Sequence, residues 1–134
     1  MRIGLFDSGI GGFTVLKKVA ELCPNTSFIY LADTARLPYG LKKKHEIMKI
    51  AEEIYSWFKQ QNIDVFLVAC NTTNAAALNE IKRNLDVPVF DLIHSAASVV
   101  RESRVGVLAT PSTVKTKSYT KAILNFKPKT FVIE

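Results

Sequence analysis

Two short stretches of this chain hold side chains suited to proton transfer or to gripping a charged small molecule. Cys70-Asn71-Thr72 sets a thiol beside an amide and a hydroxyl, at the end of the apolar run Ile63–Ala69. If that run is a strand and a helix follows, Asn71 or Thr72 is placed to cap the helix. The thiol then faces the partial positive charge of a helix start, which favours a thiolate. A thiolate there is a proton acceptor, whereas a buried cysteine of purely structural use is the alternative. Asp7-Ser8-Gly9-Ile10-Gly11-Gly12 follows the apolar run Ile3–Phe6. Its glycines do not match the G-x-G-x-x-G of dinucleotide folds, and no Walker lysine follows. The carboxylate of Asp7 disfavours a phosphate, while a carboxylate, a hydroxyl and bare backbone N–H groups suit a ligand bearing both an ammonium and a carboxylate. A tight strand-to-helix turn that needs glycine for its backbone angles fits the loop equally well.

The remaining reactive side chains rank lower. Cys23 lies on the apolar face of a helical repeat just before Pro24, which suits packing, and no disulfide with Cys70 is expected. His45 belongs to the basic run Lys42-Lys43-Lys44-His45, which reads as a solvated helix start. His94 is placed at a strand end, where a general base or a hydrogen-bonded surface histidine both fit. Tyr39-Gly40 after Pro38 reads as a turn with Tyr39 free to cover a ligand from the rim.

These residues need a scaffold, and the apolar pattern supplies one. The runs Ile3–Phe6, Phe28–Ala32, Ile63–Ala69, Val87–Ile93, Val105–Ala109 and Thr130–Ile133 are continuously apolar, as for strands covered on both faces. Between them Leu16, Val19, Ala20 and Cys23 repeat at helical spacing, as do Ile47, Ile50, Ala51 and Ile54, then Ala75, Leu78, Ile81 and Leu85. A weaker repeat through Val114, Ala122 and Ile123 follows Pro111. Strand–helix–strand alternation predicts an α/β fold with an open, mainly parallel sheet flanked by helices, of the flavodoxin-like type. Ligands bind such sheets beyond the C-terminal strand ends. The predicted ends carry Asp7–Gly12, Asp33–Gly40, Cys70–Asn74, Asp91–Ser95 and Thr110–Thr113, so the chemistry-bearing residues gather on one rim.

Composition narrows the class. With 48% hydrophobic and 22% charged residues the chain is neither disordered nor collagen-like. Two cysteines and two histidines neither staple a secreted scaffold nor build a zinc cluster. The opening MRIGLFDSG does not read as a signal peptide, no run is long enough to cross a bilayer, and a cytoplasmic protein is expected. The net charge of +6 is uneven, because residues 94–134 hold seven basic and two acidic residues. Aromatic and basic residues do not interleave there, so a solvated face is expected rather than a nucleic-acid surface.

FDSGIGGFTV, DTARLPYG, VACNTTNAAALNEI and GVLATPSTVKTKSY, in this order and spacing, resemble the N-terminal half of the glutamate racemase family. The resemblance implies interconversion of L- and D-glutamate by two cysteines on opposite faces of the α-carbon, with no cofactor and no metal, supplying D-glutamate for peptidoglycan. It implies Cys70 as the first catalytic cysteine and Asp7, Ser8, Tyr39, Gly40, Asn71, Thr72 and Thr113 as substrate contacts. It further implies glutamate as partner, no membrane, a possible homodimer, a first α/β lobe at 1–94 and the start of a second similar lobe at 95–134. The family's second cysteine lies in a Cys-Thr-His motif that this chain does not contain, so the chain is expected to be weak or inactive alone. A non-catalytic ligand-binding or regulatory α/β module, or a racemase of another amino acid such as aspartate, are the alternatives.

Overall fold

A computed structural model describes residues 1–134. Its centre is β1 (Arg2–Asp7), which pairs in parallel with β2 (Ser27–Ala32) on one side and β3 (Val65–Val68) on the other. A fourth parallel strand, β4 (Val89–Asp91), extends the sheet beyond β3, giving the order β2-β1-β3-β4. The chain runs outward from β1 to β2 and then returns to the other side, so the order reverses between β1 and β3. Such a switch point opens a crevice at the strand ends. The register puts Asp7 beside Ala32 and Phe6 beside Val68, which brings the loops after β1 and β3 side by side.

Helices α1 (Gly12–Leu22), α2 (Lys44–Lys59) and α3 (Asn71–Asn84) make the connections. Right-handed crossovers put α1 on one face and α2 with α3 on the other. Against α2 and α3 lies the main core, in which Phe6, Phe58, Phe66, Val68 and Ile81 are almost wholly buried. Phe58 comes so close to the sheet that a Cβ on Gly4 would lie 2.8 Å from its ring. The opposite face departs from the expectation of strands covered on both sides: Phe28, Tyr30 and Leu67 are half-buried and Phe90 is exposed. One helix about 10 Å across shields roughly two strands spaced about 4.8 Å apart, and this face has four strands for the single helix α1.

The apolar run Val87–Ile93 is a strand only as far as Asp91, and the expected loop from Asp91 to Ser95 is instead helix α4 (Leu92–Ser98). Asp91 is its N-cap, with Oδ1 accepting the His94 N–H at 2.8 Å and the His94 ring nitrogen Nδ1 at 2.9 Å. Lys82 Nζ reaches the other carboxylate oxygen at 3.3 Å. Burial alone would raise the Asp91 carboxyl, but the His94 N–H, the His94 ring and Lys82 outweigh it and hold it below its ordinary value. Stability from a depressed carboxyl is present above the unfolded value and lost as pH falls through the folded one. Urea titrations of the native chain should therefore show stability falling below about pH 4, where an ordinary carboxyl protonates. Asp91→Asn keeps a capping oxygen for the His94 N–H but loses the charge facing His94 and Lys82. It should therefore remove that slope and cost about 1 kcal/mol at pH 7, the difference between a charged and a neutral acceptor. An unchanged acid slope in the variant would assign it to other carboxylates.

The last segment forms a second, separate sheet of two parallel strands, β5 (Arg104–Gly106) and β6 (Phe131–Ile133). The single weak helix expected after Pro111 is two helices, α5 (Pro111–Thr116) and α6 (Ser118–Phe126). The break is Lys117, whose left-handed φ of 56° ends the first helix. Here α3 packs on α5 and α4 on α6. Ile93, Ala97, Ala122 and Ile123 form a small core distinct from that under α2. No helix is long and apolar enough to cross a membrane.

Candidate active site

The loop after β1 is built around a tethered carboxylate. Asp7 is buried, and its Oδ2 accepts the Gly12 N–H at 2.9 Å, at the start of α1. Of the two readings open for this loop, the one in which glycine supplies its backbone angles is not met, because no glycine in the chain has a positive φ. What Gly12 supplies is room. A Cβ there would lie 2.7 Å from Asp7 Cβ, 2.7 Å from the Tyr30 hydroxyl and 3.2 Å from Ala69 Cβ. Tyr30 closes the loop from β2 by donating its hydroxyl to the Gly9 carbonyl at 3.0 Å, with its ring stacked on Phe13. Gly12→Ala should displace Asp7 and cost about 1–3 kcal/mol by overpacking, against near zero for Gly106→Ala, whose Cβ meets nothing within 4 Å. Equal urea midpoints for the two variants would count against this tight packing.

Cys70 stands at the neighbouring strand end. It is itself the N-cap position of α3, so neither Asn71 nor Thr72 caps the helix; both lie within its first turn. The thiol is buried and donates to Ser8 Oγ at 3.3 Å, across the switch point between β3 and β1. In the thiolate form the same hydroxyl turns to donate to sulfur, since a serine rotor serves either way. The helix start is rigid, with Asn74 donating its backbone N–H to the Cys70 carbonyl and its side-chain amide to the Val68 carbonyl at 2.8 Å. The Thr73 hydroxyl and the Asn74 carbonyl oxygen are buried there without a partner.

The third contribution comes from the segment after β2. Tyr39 does not project from the rim as expected. Its ring is buried against Phe6, and its hydroxyl donates to Asp33 Oδ2. Arg36 Nε pairs with the same carboxylate oxygen at 2.6 Å, and its guanidinium continues to Glu53 on α2. Burial and the Asp33 carboxylate push the Tyr39 phenol well above its ordinary value, so it stays a neutral donor. The Tyr39 side chain is thus committed inward. Gly40 in turn packs so tightly on the second segment that a Cβ would lie 2.7 Å from Thr110.

Thr110 ties the remaining pieces together. Its hydroxyl lies 3.1 Å from Thr72 Oγ1 on α3 and 3.1 Å from Thr113 Oγ1 on α5. Asp7, Ser8, Gly40, Cys70, Asn71, Thr72 and Thr113 are thus linked through the two strand-end loops and the contacts of Thr110. Sequence reasoning did not single out Tyr30, Asp33 or Thr110 as site residues. Asp33 stands within the DTARLPYG stretch and pairs inside it with Arg36 and Tyr39. Thr110, in the helix-opening Thr-Pro-Ser-Thr, instead meets Thr72 and Gly40 across separations that no local pattern reveals.

The other reactive groups lie apart. Cys23 is the C-cap of α1, at the far end of that helix from Gly12, about 16 Å for its 11 residues. His94 is in the first turn of α4 and bonded to Asp91 rather than poised at a strand end. His45 is exposed in the first turn of α2. A cavity of about 1150 Å³ runs between α3 and the α5–α6 pair and is lined by Lys42, Lys43, Arg83, Lys115 and Lys121, but not by Asp7, Ser8 or Cys70.

Comparison with known proteins places this arrangement. The model of the Asp/Glu/Hydantoin racemase family matches residues 3–128. The chain belongs to that family. Among its racemase relatives, the glutamate racemase of Prochlorococcus marinus (strain NATL1A) is 82% identical over all 134 residues, which are 51% of that protein. The glutamate racemase of Trichodesmium erythraeum (strain IMS101) is 46% identical over 92% of the chain and 46% of its own length. The structure of glutamate racemase from Francisella tularensis in complex with D-glutamate superposes with a TM-score of 0.93 at 37% identity, covering 98% of this chain and 50% of that one. The chain spans about half the length of the curated relatives it matches.

Proposed function

We propose that this chain forms one side of a glutamate racemase active site, with Cys70 as one of two acid/base groups at the α-carbon of glutamate. The observation that carries the reading is the buried Cys70 thiol on Ser8 Oγ at the switch point, flanked by the Asp7 loop and the first turn of α3. The Cys70 thiolate takes the α-proton, the C–H pair passes into the α-carboxylate as an enediolate-like carbanion, and the sulfur becomes a thiol. Asp7 receives the substrate ammonium. Ser8, Asn71, Thr72, Thr113 and the backbone of Tyr39 and Gly40 supply donors aimed at carboxylate oxygens, where negative charge grows as the proton leaves. Burial of Cys70 and Asp7 keeps water from competing for that charge. The 82% and 81% identity to two glutamate racemases supports glutamate as substrate.

On this reading the chemistry needs no cofactor or metal. Its product, D-glutamate, serves peptidoglycan and hence cell shape, in a cytoplasmic protein that takes a small-molecule partner, binds no nucleic acid or membrane and pairs as a homodimer. Residues 1–94 make the first lobe and 95–134 begin the second, consistent with the separate sheets and cores. A ligand-binding module without chemistry is the competing reading, favoured by the distance of Cys23 from the crevice, which leaves Cys70 the sole thiol there. Exchange of the α-proton for deuterium separates the two: the racemase side exchanges one enantiomer, and a binding module exchanges neither.

A further inference from the structure

The net charge of +6 is gathered in space more than in sequence. The run Lys42-Lys43-Lys44 leads into α2, whereas Lys115 and Lys121 stand far along the chain, on α5 and α6. The fold brings both groups, with Arg83 of α3, to the walls of the cavity of about 1150 Å³. Against these six cations the lining offers one carboxylate, Glu80, so five of the six net charges surround a single hollow. Glu80 is itself taken by Arg83 at 2.6 Å. None of the five lysines forms an ion pair. Lys121 donates to the Thr116 carbonyl at 3.2 Å, which leaves its charge uncompensated. Charges of one sign lining a concave surface focus their potential into it and draw in an anion.

The lining also selects the kind of anion. An ammonium is a compact point charge that suits phosphate, whereas a planar carboxylate is best matched by the fork of an arginine. The one arginine here is committed to Glu80. No Phe, Tyr or Trp lines the cavity, so a nucleotide base finds no ring to stack on. The volume exceeds the roughly 300–1,000 Å³ of ordinary ligand sites, which gives room for several phosphate groups. We infer that this cavity is a binding site for a compact polyphosphate anion. It is separate from the Cys70 crevice, since neither Asp7, Ser8 nor Cys70 lines it, and it does not depend on the chemistry there.

Calorimetric titration of the 134-residue chain at about 0.15 M salt reads its affinity for inorganic tripolyphosphate, citrate and ATP. Tripolyphosphate should bind about tenfold or more tighter than citrate, and ATP no tighter than tripolyphosphate. Lys44→Gln with Lys115→Gln, taken from α2 and α5, should weaken tripolyphosphate by about tenfold or more, as for lost hydrogen bonds to a charged group. Lys17→Gln with Lys129→Gln removes the same charge from outside the cavity and should weaken it by less than about twofold, because salt screens distant charges. All four lysines are exposed, so circular dichroism should report an unchanged fold in both variants. Amide shifts on binding should cluster at residues 42–44 and 115–121. Equal weakening in the two variants would assign binding to net charge and overturn the site. Tripolyphosphate that gives neither heat nor amide shifts would do the same. Citrate binding as tightly as tripolyphosphate, or ATP binding more tightly, would overturn the assignment to a polyphosphate.

Discussion

In heavy water the 134-residue chain is expected to exchange the α-proton of one enantiomer of glutamate without inverting it, and Cys70→Ser to lose that exchange by roughly a thousandfold. A single base works on a single face. It removes the proton and, once its own proton has exchanged with solvent, returns a deuteron from the same side. Inversion requires an acid on the opposite face, and the other thiol of this chain, Cys23, lies at the far end of α1. Serine keeps the size and hydrogen-bonding capacity of the side chain, including the contact with Ser8, but is not ionised near neutral pH. A large loss therefore reports the base and not the packing. Mass spectrometry of the recovered amino acid reads deuterium, and chiral chromatography reads configuration. Exchange undiminished in Cys70→Ser would remove Cys70 from the chemistry, and inversion in that variant would require an unrecognised pair of bases.

The largest effect on stability is expected for Phe58→Ala. Phe58 is fully buried between α2 and the sheet, in contact with Phe66 at a ring separation of 4.6 Å and pressed on the backbone of Gly4. Truncating such a ring removes its burial and leaves a cavity that rigid strands cannot close, at a cost of about 3–5 kcal/mol. A domain of this size has roughly 5–15 kcal/mol in all, so the urea midpoint should fall sharply with little change in slope. Its sequence neighbour Trp57, 39% exposed, is the control, and Trp57→Ala should cost far less despite deleting a larger side chain. Equal losses for the two variants would mean that the sheet face under α2 is not the main core.

Much of the architecture is legible in the sequence because it rests on periodicities that local sterics and burial impose. Continuous apolar runs give β1 and β3, and the spacing of Ile47, Ile50, Ala51 and Ile54 gives the buried face of α2. The errors fall where an apolar run serves two elements. Val89 and Ile93 read as one strand, but Asp91 between them can cap a helix, and the cap ends β4 and starts α4. Exposure of β2 and β4 on the α1 face was equally hidden, because hydropathy records that a residue is apolar and not how many helices lie above it.

The sequence by itself determined which residue types meet at the rim, since parallel strands must deliver their following loops to one edge, and Asp7, Ser8 and Cys70 each follow a recognisable run. Tertiary structure alone decided how those residues are used. It made Gly12 a matter of space rather than backbone angle, turned the Tyr39 ring inward onto Asp33, set Ser8 against the Cys70 thiol, and let Thr110 at the start of α5 and Tyr119 on α6 reach α3. The physical reason is range. Backbone preference and hydrophobic period act within a few residues, whereas these contacts join groups up to 62 residues apart, which only the closed packing of two βαβ segments brings within hydrogen-bonding distance.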